Sequence, residues 1–129
     1  MTATLNRLAP HVLSLLRVMA ALLILQYGLR KVLGFPAGDN IPSLTSLPGI
    51  AGIFELVCGG LILIGLFTRP AAFVLSGVMA FAYFLRHAPQ DFYPINNNGN
   101  LAILFCFVFF YFVFSGAGPW SVDRVIGRA

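Results

Sequence analysis

"GIAGIFELVCGGLILIGLFTRPAAFVLSGVMAFAYFLR", residues 49–86, decides what kind of fold this chain has. It reads as two apolar runs, about 49–67 and about 70–86, parted by a short turn that ends in Arg69-Pro70. Each run approaches the roughly 20 residues that a helix needs to cross a bilayer. Proline suits the first turn of the second helix, where a backbone N–H has no partner in any case. Neither run alternates with period two, so the strands of a membrane barrel are disfavoured. One carboxylate, Glu55, lies inside the first run.

Working outward, a third run covers about 11–33 and contains Arg17 and Gln26, and a fourth covers about 100–117 with the aromatic string "FCFVFFYFVF". The expected fold class is therefore an all-α membrane protein, a four-transmembrane-helix up-down bundle in one domain over residues 1–129. Composition agrees. The chain is 59% hydrophobic and 9% charged, against about 45–50% and about 25% in soluble domains. Its mean hydropathy is +0.89.

The net charge of +4 does not point to nucleic acid, because the basic residues stand at the ends of apolar runs, as interface anchors do. Cys58 and Cys106 form no C-x-x-C pair and read as small buried hydrophobes. The first run is too long for a signal peptide and closes on Arg30-Lys31 instead of a small-residue cleavage site.

The links between the runs are unequal. "LFTRP" is tight, whereas "GFPAGDNIPSLTSLP" and "HAPQDFYPINNNGN" are long and rich in Pro, Gly, Asn and Ser. Four spans place both long loops on one face and both termini on the other. Long loops are often functional, so chemistry is expected at the loop face. Arg7, Arg69, Arg124 and Arg128 lie on the terminal face and Arg30, Lys31 and Arg86 on the loop face. That bias orients the termini to the cytoplasm of an inner (plasma) membrane.

Charges inside a span cost about 2.5–3.5 kcal/mol each, so they face the bundle interior or pair. Arg17 is close enough to its helix end to snorkel, and with Arg69 and Asp123 it reads as a structural charge. Glu55 lies roughly 9 Å below the loop face at about 1.5 Å per residue. Gln26, Tyr27, Arg30 and Lys31 stand at similar depth on the first helix. Arg17, Ile24, Gly28 and Lys31 share one face, which makes Lys31 the expected partner of Glu55. Gly28 would admit a helix or a ligand closely. Two readings of Glu55 stay open: a pair that fixes helix register, and a carboxylate that handles protons or binds a ligand.

Arg69, Ser76, Met79, Tyr83 and Arg86 form a polar line on the third helix, and His87 follows at the loop. His87 can donate, accept or shuttle a proton near neutral pH. In "NNNGN", residues 96–100, the amides of Asn98 and Asn100 offer donors and acceptors above Phe105, Phe107 and Tyr111. A polar lid over an aromatic cleft suits a small lipophilic molecule with a polar head, such as a quinone. No metal-ligand spacing is present, and His11 and His87 are expected on opposite faces.

"GLRKVLG" (28–34), "GIFELVCGGLILIGLFTRPAA" (52–72) and "FYPINNNGNLAILFCFVFFYFVFSGAGPWSVD" (92–123) together resemble the DoxX family of small four-helix membrane proteins. The likeness covers nearly the whole chain. Family members commonly carry glutamate where this chain has Asn100, so any activity that needs a second carboxylate would be lost or altered here. The resemblance implies likeness to the quinone-facing membrane subunit of a thiosulfate:quinone oxidoreductase, and to proteins linked with thiol and oxidative-stress enzymes at bacterial membranes.

Two function classes follow. In the first, the chain is a quinone- or lipophilic-ligand-binding component of a membrane oxidoreductase system. Glu55, Lys31 and His87 are then the chemical group, and Asn100, Asn98, Tyr83, Arg86, Gln26 and Gly28 surround the ligand. No metal, haem or flavin motif is present, so a redox centre would be the quinone or would lie on a partner protein. In the second, the chain is a non-enzymatic scaffold, carrier or transporter subunit that binds lipid or a partner protein. Gly59, Gly60 and Gly65 offer a surface for homo-oligomer contact.

Overall fold

The computed structural model describes residues 1–35 and 42–127, and every regular element among them is helical. The centre of the first long loop, and Arg128 of the charge count, lie outside the described residues.

Helix α1 runs over Thr2–Leu33. Its 32 residues extend about 48 Å at about 1.5 Å per residue, more than the roughly 30 Å of hydrocarbon. Residues 1–10 are exposed throughout. The helix thus begins well before residue 11, since the exposed turn before Pro10 can give water the carbonyl that proline leaves unbonded. Burial starts at Ser14 and continues through Arg17, Ala20, Ala21, Ile24 and Gly28. Those steps of three and four form one stripe. Gly34, at φ 71°, ends the helix in the left-handed conformation that glycine adopts without strain.

Helix α2, Leu47–Ile64, starts at Ser46, whose Oγ accepts the Gly49 N–H at 3.3 Å. It buries Gly49, Gly52, Glu55, Cys58, Gly59 and Ile62, again a single stripe. The chain reverses over Gly65–Phe67 into α3, Thr68–Ala82, which continues as a π-helical turn over Tyr83–His87. A short α4, Pro94–Asn97, precedes α5, Asn100–Ser115, and α6, Val122–Val125, closes the described chain.

Helix α1 packs along α2, α2 along α3, and α3 along α5. Their shared core includes Ala21, Ile24, Ile62, Ala72, Leu75, Phe109 and Phe112. Small residues set the α1–α2 distance. A Cβ on Gly28 would stand 2.9 Å from the Leu56 nitrogen, so the two backbones nearly touch there. A Cβ on Gly59 would meet Ile24 and Leu25, and Gly65 abuts Ser121, so both are occupied within the chain. Only Gly60, of the three glycines expected to serve contact between copies, opens onto free space.

The outer surface is apolar. Leu15, Leu22, Phe73, Phe81, Phe107 and Phe114 are among many large side chains left exposed. At roughly 25 cal/mol per Å² such a surface is untenable in water and stable in lipid. Thr2–Leu33, Leu47–Ile64 and Thr68–His87 are long and apolar enough to cross a membrane. Helix α5 has 16 residues, or about 24 Å. The chain is a helical membrane protein.

Candidate functional site

The α1–α2 seam carries the site. Because Gly52 has no side chain, the stem of Lys31 lies across it, and a Cβ there would be 2.7 Å from the Lys31 Cβ. One turn deeper on the same stripe stands Glu55. Lys31 Nζ donates to Glu55 Oε1 at 2.8 Å, and the expected pair forms. Glu55 is 1% exposed. Its second oxygen, Oε2, is buried and has no hydrogen-bond partner among the described residues. Leaving a buried carboxylate oxygen unmatched is unfavourable, and on a cavity wall it has room to accept from a water or a ligand.

That carboxylate borders a cavity of about 160 Å³, walled by Ile24, Tyr27, Lys31, Glu55, Met79, Ala82, His87, Asn98, Leu101, Ala102 and Phe105. A second cavity, about 530 Å³, lies between α2 and α3 and shares Lys31, Ala82 and His87 with the first. Its volume falls within the roughly 300–1,000 Å³ usual for ligand sites.

The π turn positions His87. Its Nδ1 lies 2.9 Å from the Asn97 carbonyl oxygen. A carbonyl only accepts, so Nδ1 carries a proton there and Nε2 is the ring nitrogen left for another contact. Tyr83 stacks on His87 with ring centres 6.3 Å apart. Asn97, fully buried, ties the loop together: its amide donates to the Tyr83 hydroxyl at 3.3 Å and to the Asp91 carbonyl at 2.9 Å, and its Oδ1 accepts the Gly99 N–H at 2.8 Å. Asn98 reaches the cavity wall from a left-handed backbone, φ 60°.

The structure therefore gathers Glu55, Lys31, His87 and Asn98 around one cavity, with Tyr83 behind His87. Arg86 lines the larger cavity. Asn100 is exposed as the first residue of α5, and Gln26 is exposed on α1; neither borders either cavity. Gly28 receives α2, not a ligand. Phe105 lines the small cavity, while Phe107 and Tyr111 face outward. Sequence reasoning passed over Asn97 and set Tyr27 aside. An asparagine two residues before a glycine is the signature of an Asx turn, and that signal singles out Asn97.

The other end of the helices is built differently. Arg17 does not snorkel; it turns inward and is 1% exposed. Its guanidinium donates to the carbonyls of Ala117, Trp120 and Leu63, the Trp120 bond being 2.7 Å. Asp123 accepts the N–H groups of Phe67 at 2.8 Å and Thr68 at 3.0 Å, and so caps α3 from a distant part of the chain. Arg69 donates to the carbonyls of Val113 at 2.9 Å and Phe114 at 2.6 Å. Among the described residues no group of three or more His, Cys, Asp or Glu is placed to hold a metal ion.

Fold and site thus define a class: a helical membrane protein with a buried carboxylate–ammonium pair on the wall of a cavity. The chain belongs to the DoxX family, whose match covers residues 12–88. It is 42% identical over 126 residues to an uncharacterized protein of Haemophilus influenzae, covering 93% of this chain and 94% of that one. It is 29% identical over 132 residues to an uncharacterized membrane protein of Mycobacterium tuberculosis, covering 88% of this chain and 80% of that one. No solved structure matches the chain.

Proposed function

We propose that this DoxX protein is the quinone-binding membrane component of an oxidoreductase system, with α1, α2, α3 and α5 crossing the plasma membrane as an up-down bundle. Its termini are cytoplasmic in this reading, as the basic residues Arg7, Arg69 and Arg124 favour. The observation that carries the proposal is Glu55 Oε2: a buried carboxylate oxygen, unpartnered among the described residues, on a cavity wall that also holds an aromatic ring, Phe105.

The residues present fit a quinone head. Glu55 and the free nitrogen of His87 offer polar contacts, Phe105 and Tyr27 offer aromatic surface, and the adjoining cavity can take a lipophilic tail. A quinone bound there supplies an acceptor for two electrons and two protons, the electrons coming from a partner oxidoreductase. Lys31 holds the Glu55 carboxylate in place by compensating its charge at 2.8 Å. Glu55 and His87 each hold or release a proton at the cavity wall. Asn97 fixes the tautomer of His87 by accepting from Nδ1.

Native mass spectrometry of the chain purified from membranes tests this. A quinone adduct is expected on the wild type and at least tenfold less of it on Glu55→Gln. Phospholipid alone on both proteins would instead support the scaffold or carrier reading.

A further inference from the structure

The larger cavity has a chemistry of its own. Its apolar wall runs from Ile50 and Phe54 on α2 to Val78, Phe81 and Leu85 on α3. At its loop end stand Lys31, Arg86, His87 and Gln90, all hydrogen-bond donors or able to be, and among the described residues no acidic one lines it. Arg86 is exposed and has no ion-pair partner among the described residues. Helices α2 and α3 are held together at the Gly65–Phe67 reversal, and the groove lies towards their other ends, where Ala51 and Ala82 leave its floor low. An apolar trough ending in cations at headgroup depth has the shape and charge of a bound amphiphile with a negative head.

We infer that the α2–α3 groove is a binding site for an anionic glycerophospholipid, its head between Arg86, Lys31 and Gln90 and one acyl chain along Phe54, Phe81 and Leu85. Charge complementarity selects this occupant over a zwitterionic lipid, since basic pockets between membrane helices favour anionic heads. Lys31 belongs to both cavities, so the lipid phosphate and Glu55 share one ammonium. Removing the Glu55 charge leaves the Lys31 charge uncompensated and more attractive to the lipid phosphate. The inference rests on the transmembrane arrangement and not on the quinone, whose adduct has a different mass and whose head lies in the smaller cavity.

The test is native mass spectrometry of the full chain, titrated in detergent with phosphatidylglycerol and with phosphatidylcholine of the same acyl chains. The wild type is expected to retain phosphatidylglycerol at least fivefold better. Arg86→Gln should lower that preference roughly fivefold, the effect of about one basic residue near a headgroup. Arg86→Lys should keep it, and Glu55→Gln should raise it. Equal retention of the two lipids by the wild type would overturn the inference. So would an unchanged preference in Arg86→Gln, or a fatty acid as the adduct in place of the phospholipid.

Discussion

The two ends of this bundle bury charge by opposite rules. At the terminal end Arg17 and Asp123 reach across the chain to backbone groups: Arg17 to three carbonyls, Asp123 to two N–H groups. At the loop end Glu55 has one partner among the described residues, Lys31, and keeps its other oxygen unbonded among them beside a cavity. Both carboxylates are nearly sealed, Asp123 at 5% and Glu55 at 1% exposure, so burial does not separate them. Saturation does. Asp123, with both oxygens bonded within the fold, stabilises it; Glu55, with one oxygen unbonded among the described residues, is available to a ligand. Arg17 also buries an unbonded Nε, but its two terminal nitrogens are held by three carbonyls.

The comparison can be broken at several points. The largest stability loss is expected for Arg17→Met, which strands three inward-facing carbonyls. A loss of about 3 kcal/mol or more should follow, read as a lowered thermal midpoint in detergent. Asp123→Ala removes the cap from Phe67 and Thr68 and should be destabilising by about 2 kcal/mol. Lys31→Met should cost a similar amount, about 2 kcal/mol, because it leaves the buried Glu55 carboxylate without its counter-charge, while the 28% exposure of the Lys31 side chain lets water take part of the load. Glu55→Gln should change stability least, by less than about 1 kcal/mol, since the amide oxygen still accepts from Lys31. If Glu55→Gln proved as damaging as Arg17→Met, the loop-end pair would be a structural latch like the other, and the distinction would fail.

How much of this the sequence carried depends on what each residue bonds to. The Glu55–Lys31 pair was legible, because depth along two antiparallel runs and the helical phase of Arg17, Ile24, Gly28 and Lys31 both point to it. Arg17 was legible as a structural charge, but its inward turn was not. Its partners are backbone carbonyls of Leu63, Ala117 and Trp120, and a carbonyl has the same identity at every position. The π turn at Tyr83–His87 has no residue signature either, yet it stacks Tyr83 on His87 and presents His87 to both cavities. Within "NNNGN" the spacing to Gly99 marks Asn97, whose amide ties three segments of the loop, while Asn100 turns outward. The glycines divide in the same way. Gly28, Gly52 and Gly59 are spent on the α1–α2 seam, and sequence alone does not tell a seam inside one chain from a seam between two.

The most direct test compares the two carboxylates in one tube. A lipophilic carbodiimide reacts with carboxyl groups that it can reach within a membrane and whose oxygens are not fully engaged. Peptide mass analysis of the treated protein should place the label on Glu55 and leave Asp123 unmodified, and a short-tailed quinone added first should slow the Glu55 reaction at least tenfold. Labelling of Asp123 at a rate matching Glu55, or a Glu55 rate indifferent to quinone, would contradict the account.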